Sequence, residues 1–254
     1  MLQKIKADLL RNYTQNIIDP QSSITFIEID KEKMYDENSD SDVPFKYIQF
    51  QDGCIIFATI PKLLEFAKNY YEIFKNGLFN KKAFEYLFEN ISVKMKKYER
   101  KPYTVNRELE KYMSYSILDD KTDIPYEKIQ NSTIQFKADT PYKNITNSYI
   151  ELSQDCIYYG TLIGENIVSI VGTNTPIMKY PNSEVVYIGV ETHENYRQKG
   201  YAISNVAAMS DYLLSNGYIV KWGCNSLNIS SIKTASSCGF REIAKEKTVF
   251  CVGD

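Results

Sequence analysis

The stretch that most constrains this chain runs from Glu184 to Ala202. Glu184–Thr192 (EVVYIGVET) is dense in β-branched and aromatic residues and reads as a strand. It feeds a short loop, His193–Tyr196, after which Arg197-Gln198-Lys199-Gly200-Tyr201-Ala202 opens a helix. A helix N-terminus offers backbone N–H groups without intrahelical acceptors, together with the positive end of the helix dipole. That combination binds phosphate. Gly200 lets the backbone approach a ligand with no Cβ in the way, small Ala202 does nearly the same, and Arg197 and Lys199 add cationic charge. The strand therefore delivers the chain into a turn suited to cradle a pyrophosphate. Neither G-x-x-x-x-G-K-[ST] nor a G-x-G-x-x-G after a strand occurs in the sequence.

The flanking patterns predict a fold around that turn. Tyr149–Tyr159 reads as a strand running into a loop, and Thr161–Gly164 and Ile167–Gly172 as short strands around a Glu165-Asn166 turn. The helix from Gly200 to Ser215 places Ile203, Val206, Ala207 and Leu214 on its apolar side and ends at Gly217. A strand at Tyr218–Trp222 follows. Next come a helix at Asn228–Ser237, capped by Asn228 and stopped by Gly239, and a last strand at Lys247–Val252. Alternating strands and helices imply an α/β fold of the α+β kind, a mixed sheet covered by helices.

The first half reads as a smaller α/β unit of unknown role. Leu2–Ile17 is an amphipathic helix with Ile5, Leu9, Leu10 and Tyr13 on one face, and Asp36–Val43 is an acidic surface loop closed by Pro44. Ile48–Ile60 is strand material broken at the Asp52-Gly53 turn pair. From Pro61 to about Tyr98 the spacing is helical, through Leu63, Leu64, Ala67, Tyr71 and Phe74, then Phe84, Leu87, Phe88 and Ile91 after Gly77. Charges and turn signals in Arg100–Asp123 place a boundary there, dividing the chain into residues 1–123 and 124–254.

Composition narrows the class of function. A net charge of -2 gives no global field for nucleic acid or an anionic membrane, so neither is expected as a partner. The basic run Lys94–Lys101 (KMKKYERK) reads as a solvated helix end. No apolar run approaches a membrane span and no signal peptide is visible at Met1–Asp19, so a cytoplasmic protein is expected. The 5 cysteines are scattered, and His193 is the single histidine, which argues against a disulfide framework or a metal site.

Two motifs together resemble the GNAT acetyltransferase superfamily. Val190–Ala202 is similar to its acyl-CoA-binding signature, Arg/Gln-x-x-Gly-x-Gly/Ala. Downstream, Asn228, Ser231 and Gly239-Phe240 resemble its Asn-x-x-Ala/Ser…Gly-Phe segment. The likeness covers about Tyr149–Val252. It extends to a bacterial group with an additional N-terminal domain, through Thr192, Tyr196, Arg197 and Trp222. It implies a GNAT-like C-terminal half and acetyl-CoA as co-substrate, with no metal. Backbone of Val190 and Thr192 would hold the pantetheine arm. Amides of Gln198, Lys199, Gly200, Tyr201 and Ala202, with Arg197 nearby, would hold the pyrophosphate. Asn228 would sit by the pantetheine or leaving sulfur, with Ser231 farther along the same helix face. The reaction would be direct attack of a primary amine on the acetyl thioester, with backbone donors holding the oxyanion.

The chain departs from that pattern in two places. Ala235 stands where many members carry a tyrosine that acts as acid toward the thiolate, and Val186 and Ile188 stand where members often place a base. Glu184, on the same face by strand alternation, is the candidate base, beside the reading of a solvent-exposed strand carboxylate. A Cys224–His193 nucleophile pair is disfavoured, since the cysteine reads as a small buried hydrophobe. The acceptor is expected to be a small-molecule amine and the protein a monomer or homodimer. A non-catalytic acyl-CoA sensor or scaffold is the alternative.

Overall fold

The computed structural model of the chain describes residues 1–11, 23–29, 35–36, 41–96, 101–102, 112–116, 123–137, 142–144, 149–150, 152–174 and 184–252. In chain order its elements begin with α1 (Leu2–Arg11), β1 (Ile24–Glu28), β2 (Tyr35–Asp36), β3 (Ser41–Phe50), β4 (Ile55–Thr59), α2 (Leu64–Phe74), α3 (Lys81–Lys96), β5 (Lys101–Pro102) and β6 (Tyr112–Ser116). They continue with β7 (Thr133–Phe136), β8 (Tyr142–Asn144), β9 (Tyr149–Ile150), β10 (Tyr158–Ile163), β11 (Asn166–Thr173) and β12 (Val185–Thr192). The last are α4 (Tyr201–Ser215), β13 (Ile219–Asn225), α5 (Ile229–Ser237) and β14 (Arg241–Val252).

The chain forms two compact units that interleave in sequence. One, the cradle unit, comprises Met1–Ile5, Ser114–Cys224 and Asn228–Glu242; the other, the aromatic unit, comprises Lys6–Met113, Asn225–Leu227 and Ile243–Asp254. Residues 12–17 of the expected first helix, 37–40 of the acidic loop, 97–100 of the basic run and most of the boundary stretch 100–123 lie outside the described residues.

The aromatic unit is built on β4, a central strand whose five residues are all buried, the one polar side chain, Thr59, donating to the Pro44 carbonyl at 3.1 Å. β1 pairs with it in parallel and β3 antiparallel, and β14 adds to the other side of β3. The hairpin joining β3 to β4 turns at Asp52-Gly53 as expected. Gly53 adopts a φ of 85° and the Asp52 carboxylate accepts from the Cys54 N–H at 3.1 Å. β3 begins at Ser41, so the end of the segment read as an acidic loop is strand. Pro44 is tolerated within it because the partner register shifts between Val249 and Cys251, a bulge where no ladder N–H is needed. β14 likewise starts at Arg241, six positions before the expected Lys247, because β3 offers a full-length edge to pair with.

Helices α2 and α3 close the core of this unit. The buried face of α2 is Phe66, Ala67 and Tyr70, with Leu63 just ahead of it. Expected Leu64 and Tyr71 are only partly buried, so the helix is turned by about one residue from the periodic reading. Phe45, Tyr47, Phe57, Phe66 and Tyr70 form one aromatic cluster, with Tyr47 and Phe57 stacked at 5.3 Å between centroids. The two buried phenols both donate to the Leu78 carbonyl, Tyr47 at 2.7 Å and Tyr70 at 3.2 Å. Burial pushes the Tyr70 phenol up to about 12, and burial together with the neighbouring Tyr70 raises Tyr47 well above the usual phenol range.

The cradle unit carries a mixed sheet in the order β13-β12-β11-β10-β7. β12 and β13 are parallel, and β11, β10 and β7 follow antiparallel. β10 begins at Tyr158, three residues before the expected Thr161, and β7 and β8 are strands that the periodicity did not mark. Helix α4 packs across β10, β11 and β12. α5 ends as the glycine signal predicted: Gly239 has a φ of 85° and the Phe240 N–H returns to the Ala235 carbonyl, closing a Schellman cap. A Cβ on Gly239 would lie 2.1 Å from the Asp123 carbonyl, so only glycine fits there. Among the described residues no helix is long and apolar enough to cross a membrane.

The buried phenols make stability fall in alkali. Unfolded tyrosines ionise near pH 10.0, whereas Tyr70 resists to about 12, so the contribution is intact below pH 10.0 and is lost as pH rises from there through about 12. Melting curves across that window are expected to decline. Tyr47→Phe, which removes one buried phenol and one hydrogen bond, is expected to cost about 1 kcal/mol at neutral pH and to flatten the alkaline decline.

Candidate functional site

The site grows from the parting of two parallel strands. Registered pairing of β12 with β13 covers Val185↔Ile219, Val186↔Val220 and Tyr187↔Lys221 and stops there, although both strands continue. On its other edge β12 stays paired with β11 up to Thr192. The His193 N–H donates to Val168 and the Tyr187 carbonyl accepts from Asn174, so odd-numbered residues of β12 direct their backbone groups toward β11. Even-numbered residues face β13, as the bond from Ile219 N–H to the Glu184 carbonyl requires. Val190 and Thr192 therefore aim their backbone groups into the gap, where the Thr192 carbonyl is already met by Arg197 Nε. Backbone groups without a ladder partner must find water or a ligand.

The loop beyond β12 is drawn into a tight turn. His193 Nδ1 accepts from the Asn195 N–H at 3.3 Å, and Glu194–Tyr196 makes one turn of 3₁₀ helix. Gln198 has a φ of 62°, the only positive value at a non-glycine among the described residues, and Gly200 follows with a φ of 82°. A left-handed glutamine costs roughly 1 kcal/mol or more, and strain of this kind concentrates at ligand sites. Gly200 is the N-cap of α4 and supplies no side-chain cap, and the first turn carries no acidic residue. The first amide of α4 with an acceptor in the turn is Ser204, bonded to the Gly200 carbonyl at 3.0 Å, which leaves the N–H groups of Tyr201, Ala202 and Ile203 directed outward. Two cations flank them. Arg197 Nε donates to the Thr192 carbonyl at 3.1 Å, and the Lys199 ammonium lies 4.7 Å from the Tyr196 ring centroid.

The position of this helix end is set by a buried polar network absent from the sequence reading. Asn205 is 0% exposed. Its Oδ1 accepts from Thr161 Oγ1 at 3.0 Å and Thr133 Oγ1 at 2.9 Å, and its Nδ2 donates to the Ser169 carbonyl at 3.3 Å. The Ser169 hydroxyl meets that of Thr192 at 2.8 Å, carrying the network to the end of β12. Next to Asn205, buried Ser204 accepts from the Gln130 N–H at 2.7 Å, while Gln130 Nε2 donates to the Lys199 carbonyl at 3.0 Å. The same Nε2 would lie 2.9 Å from a Cβ on Gly200. The signal was a polar pair, Ser204-Asn205, inside the apolar stripe of an amphipathic helix.

Asn228 and Ser231 stand at the start of α5. Trp222, one residue beyond the last strand pair, donates its indole N–H to Ser231 Oγ at 3.0 Å, placing α5 over the free end of β13. Asn228 caps α5, its Oδ1 accepting from Ser231 N at 3.1 Å and Ser230 Oγ at 2.8 Å. Buried Ala235 carries no hydroxyl. Glu184 is not brought to this constellation. It is exposed, ion-paired to Lys4 at 2.7 Å, and six residues or about 20 Å along the strand from Val190. Cys224 is buried, which raises its thiol above the usual range, while His193 is occupied within its own turn.

A family model described as GNAT acetyltransferase matches residues 60–248. Solved structures similar to the chain include a GNAT-family protein from Novosphingobium aromaticivorans DSM 12444, at 15% identity over 57% of this chain and 65% of that one, with a TM-score of 0.43. A GCN5-related N-acetyltransferase-like protein from Streptococcus suis 89/1591 matches at 15% identity over 55% and 62%, with a TM-score of 0.36. A GCN5-related N-acetyltransferase from Sphaerobacter thermophilus matches at 9% over 61% and 54%, with a TM-score of 0.37. The chain spans less than two thirds of the length of each of the three. No curated protein matches it.

Removing the hub of the polar network tests its role. Asn205→Leu takes away the acceptor of the buried Thr161 hydroxyl and the side-chain donor to the Ser169 carbonyl, while Thr133 keeps Ser204 Oγ, and is expected to cost about 3 kcal/mol, read as a lowered denaturant midpoint. Gln130→Ala, at the partly exposed end, is expected to change stability by less than about 1 kcal/mol.

Proposed function

Because the chain belongs to the GNAT acetyltransferase family, we propose that it is an acyl-CoA-dependent N-acyltransferase moving the acetyl group of acetyl-CoA to a primary amine by direct attack. The observation that carries this reading is the parting of β12 from β13 beside an uncapped helix N-terminus. An extended pantetheine arm needs backbone partners along its length, and the N–H and C=O of Val190 and the N–H of Thr192 would offer them in the gap. A pyrophosphate needs convergent N–H donors, and the turn from Gln198 to Ala202 supplies them on strained backbone, with Arg197 and Lys199 alongside. Acetyl-CoA would supply the activated thioester. The chain's own residues would orient it, hold its phosphates and receive the amine.

Asn228 and Ser231 would border the pantetheine arm on the β13 side, through the cap and the Trp222 bond that hold them there. Glu184, tied to Lys4 at the far end of the strand, is left outside the proton transfer. The acceptor is assigned as a small molecule. The protein is taken as a cytoplasmic monomer or homodimer that needs no metal. A second reading, a non-catalytic acyl-CoA sensor or scaffold, draws on the missing hydroxyl at Ala235.

Calorimetric titration with acetyl-CoA is expected to give a Kd in the micromolar range. Gly200→Glu brings a Cβ against Gln130 at a left-handed position and a carboxylate into the cradle, and is expected to weaken binding at least about 100-fold. Failure of the wild type to bind at millimolar cofactor sinks both readings. Amine-dependent release of free thiol separates the enzyme from the sensor.

A further inference from the structure

A buried cation and a phenol stand where the two strands part, on the sheet face away from α4. The Thr161, Ser169 and Thr192 hydroxyls mark the face that α4 covers, since they join the Asn205 network. Side chains alternate along a strand, so Val186, Ile188 and Val190 share that face with Thr192, and Tyr187 projects from the other. Lys221 is the registered parallel partner of Tyr187 and projects with it. Lys221 is only 2% exposed, and its ammonium donates to Tyr187 Oη at 2.8 Å. An ammonium has no lone pair, so the phenol oxygen accepts this bond and the phenol's own hydrogen is directed to another group.

Interring an ammonium is costly unless it is well bonded, and an apolar residue would serve packing alone with less penalty. The next residue of β12 on this face is Gly189, which presents no side chain beside the phenol. The Asn174 amide lies near it, 3.0 Å from where a Cβ would be. Tyr187↔Lys221 is also the last registered pair before the gap, so the phenol stands at the closed end of the slot into which Val190 and Thr192 aim their backbone groups.

Resting on the acyltransferase reading, we propose that Tyr187 protonates the leaving thiolate and that Lys221 is the positioning residue that holds its phenol. The amine nitrogen bonds to the acyl carbon, and the C–S bond breaks with its electron pair on sulfur. Tyr187 Oη gives sulfur a proton, and the phenolate, held by the Lys221 ammonium, takes up the proton that the amine nitrogen loses. Thioester and amine become amide and thiol, with no other reactant. The phenol that α5 lacks at Ala235 is thereby supplied from the opposite face of the sheet.

The experiment compares CoA with desulfo-CoA by calorimetry on the full chain, alongside turnover. The wild type is expected to hold CoA about 5-fold tighter than desulfo-CoA through the sulfur–phenol contact. Tyr187→Phe is expected to bring that ratio to about 1 and to lower kcat about 100-fold, with KM for acetyl-CoA changed less than about 3-fold, read below a melting temperature that falls because the buried ammonium loses its phenol acceptor. Lys221→Met is expected to lower kcat as well, and Lys221→Arg, which keeps a donor cation and guards against misfolding of the apolar variant, to recover part of it. An unchanged ratio and kcat in Tyr187→Phe overturns this inference alone. Full kcat in Lys221→Met overturns the positioning role, and a wild type that binds neither ligand overturns the acyltransferase reading with it.

Discussion

One carboxamide ties the candidate site to its scaffold. Asn205 sits inside the cradle unit, between helix α4 and the sheet, with both halves of its side-chain amide engaged. In a low-dielectric interior such bonds are strong when complete and costly when one partner is missing, so the arrangement tolerates one helix position. Because Ser204 and Gln130 extend the same network to the Lys199 carbonyl, fixing the helix also fixes the turn that precedes it. An apolar helix–sheet contact would hold α4 against the sheet but would let it slide, and the outward amides of its first turn would then have no defined direction.

The second constraint is where strand pairing stops. β12 and β13 pair over three registered positions, while β12 keeps its other neighbour to Thr192. Strands twist, and two parallel strands that diverge expose one edge of each without exposing the sheet as a whole. The exposed edge of β12 offers donors and acceptors at even-numbered residues only, which is why Val190 and Thr192, and not Glu191, face the gap. The edge of β13 is covered from one face by α5 through the Trp222–Ser231 bond. Helix amides, strand edge and the Tyr187–Lys221 pair all belong to one compact unit.

Much of this unit was legible in the sequence for local reasons. Gly239 announced the left-handed end of α5 and has it, while Gly200, read as an opening without a Cβ, is left-handed as well. Asn228 announced an N-cap, and its carboxamide accepts from Ser231. The run of β-branched residues before Thr192 announced a strand, which begins one residue later than expected. Elsewhere the pattern misled at its edges. The stripe read through Leu64 and Tyr71 is centred instead on Phe66 and Tyr70, since aromatic side chains reach a core that their spacing only approximates. Strands β7 and β8 are short and polar enough that no period marks them.

Local signals such as caps, turns and the order of strand and helix depend on a few neighbouring residues, and the sequence determined those by itself. It determined the cradle's chemistry too: a glycine-opened helix with cations beside it. Only the tertiary structure decided that Asn205 would meet Thr133, Thr161 and Ser169, that pairing would end at Tyr187, and that buried Lys221 would reach the phenol beside it. It also decided that Glu184 would stand exposed at the start of the strand, ion-paired to Lys4 and six residues from Val190. These outcomes depend on register and on contacts between residues far apart in the chain, which the period of a single strand or helix does not encode.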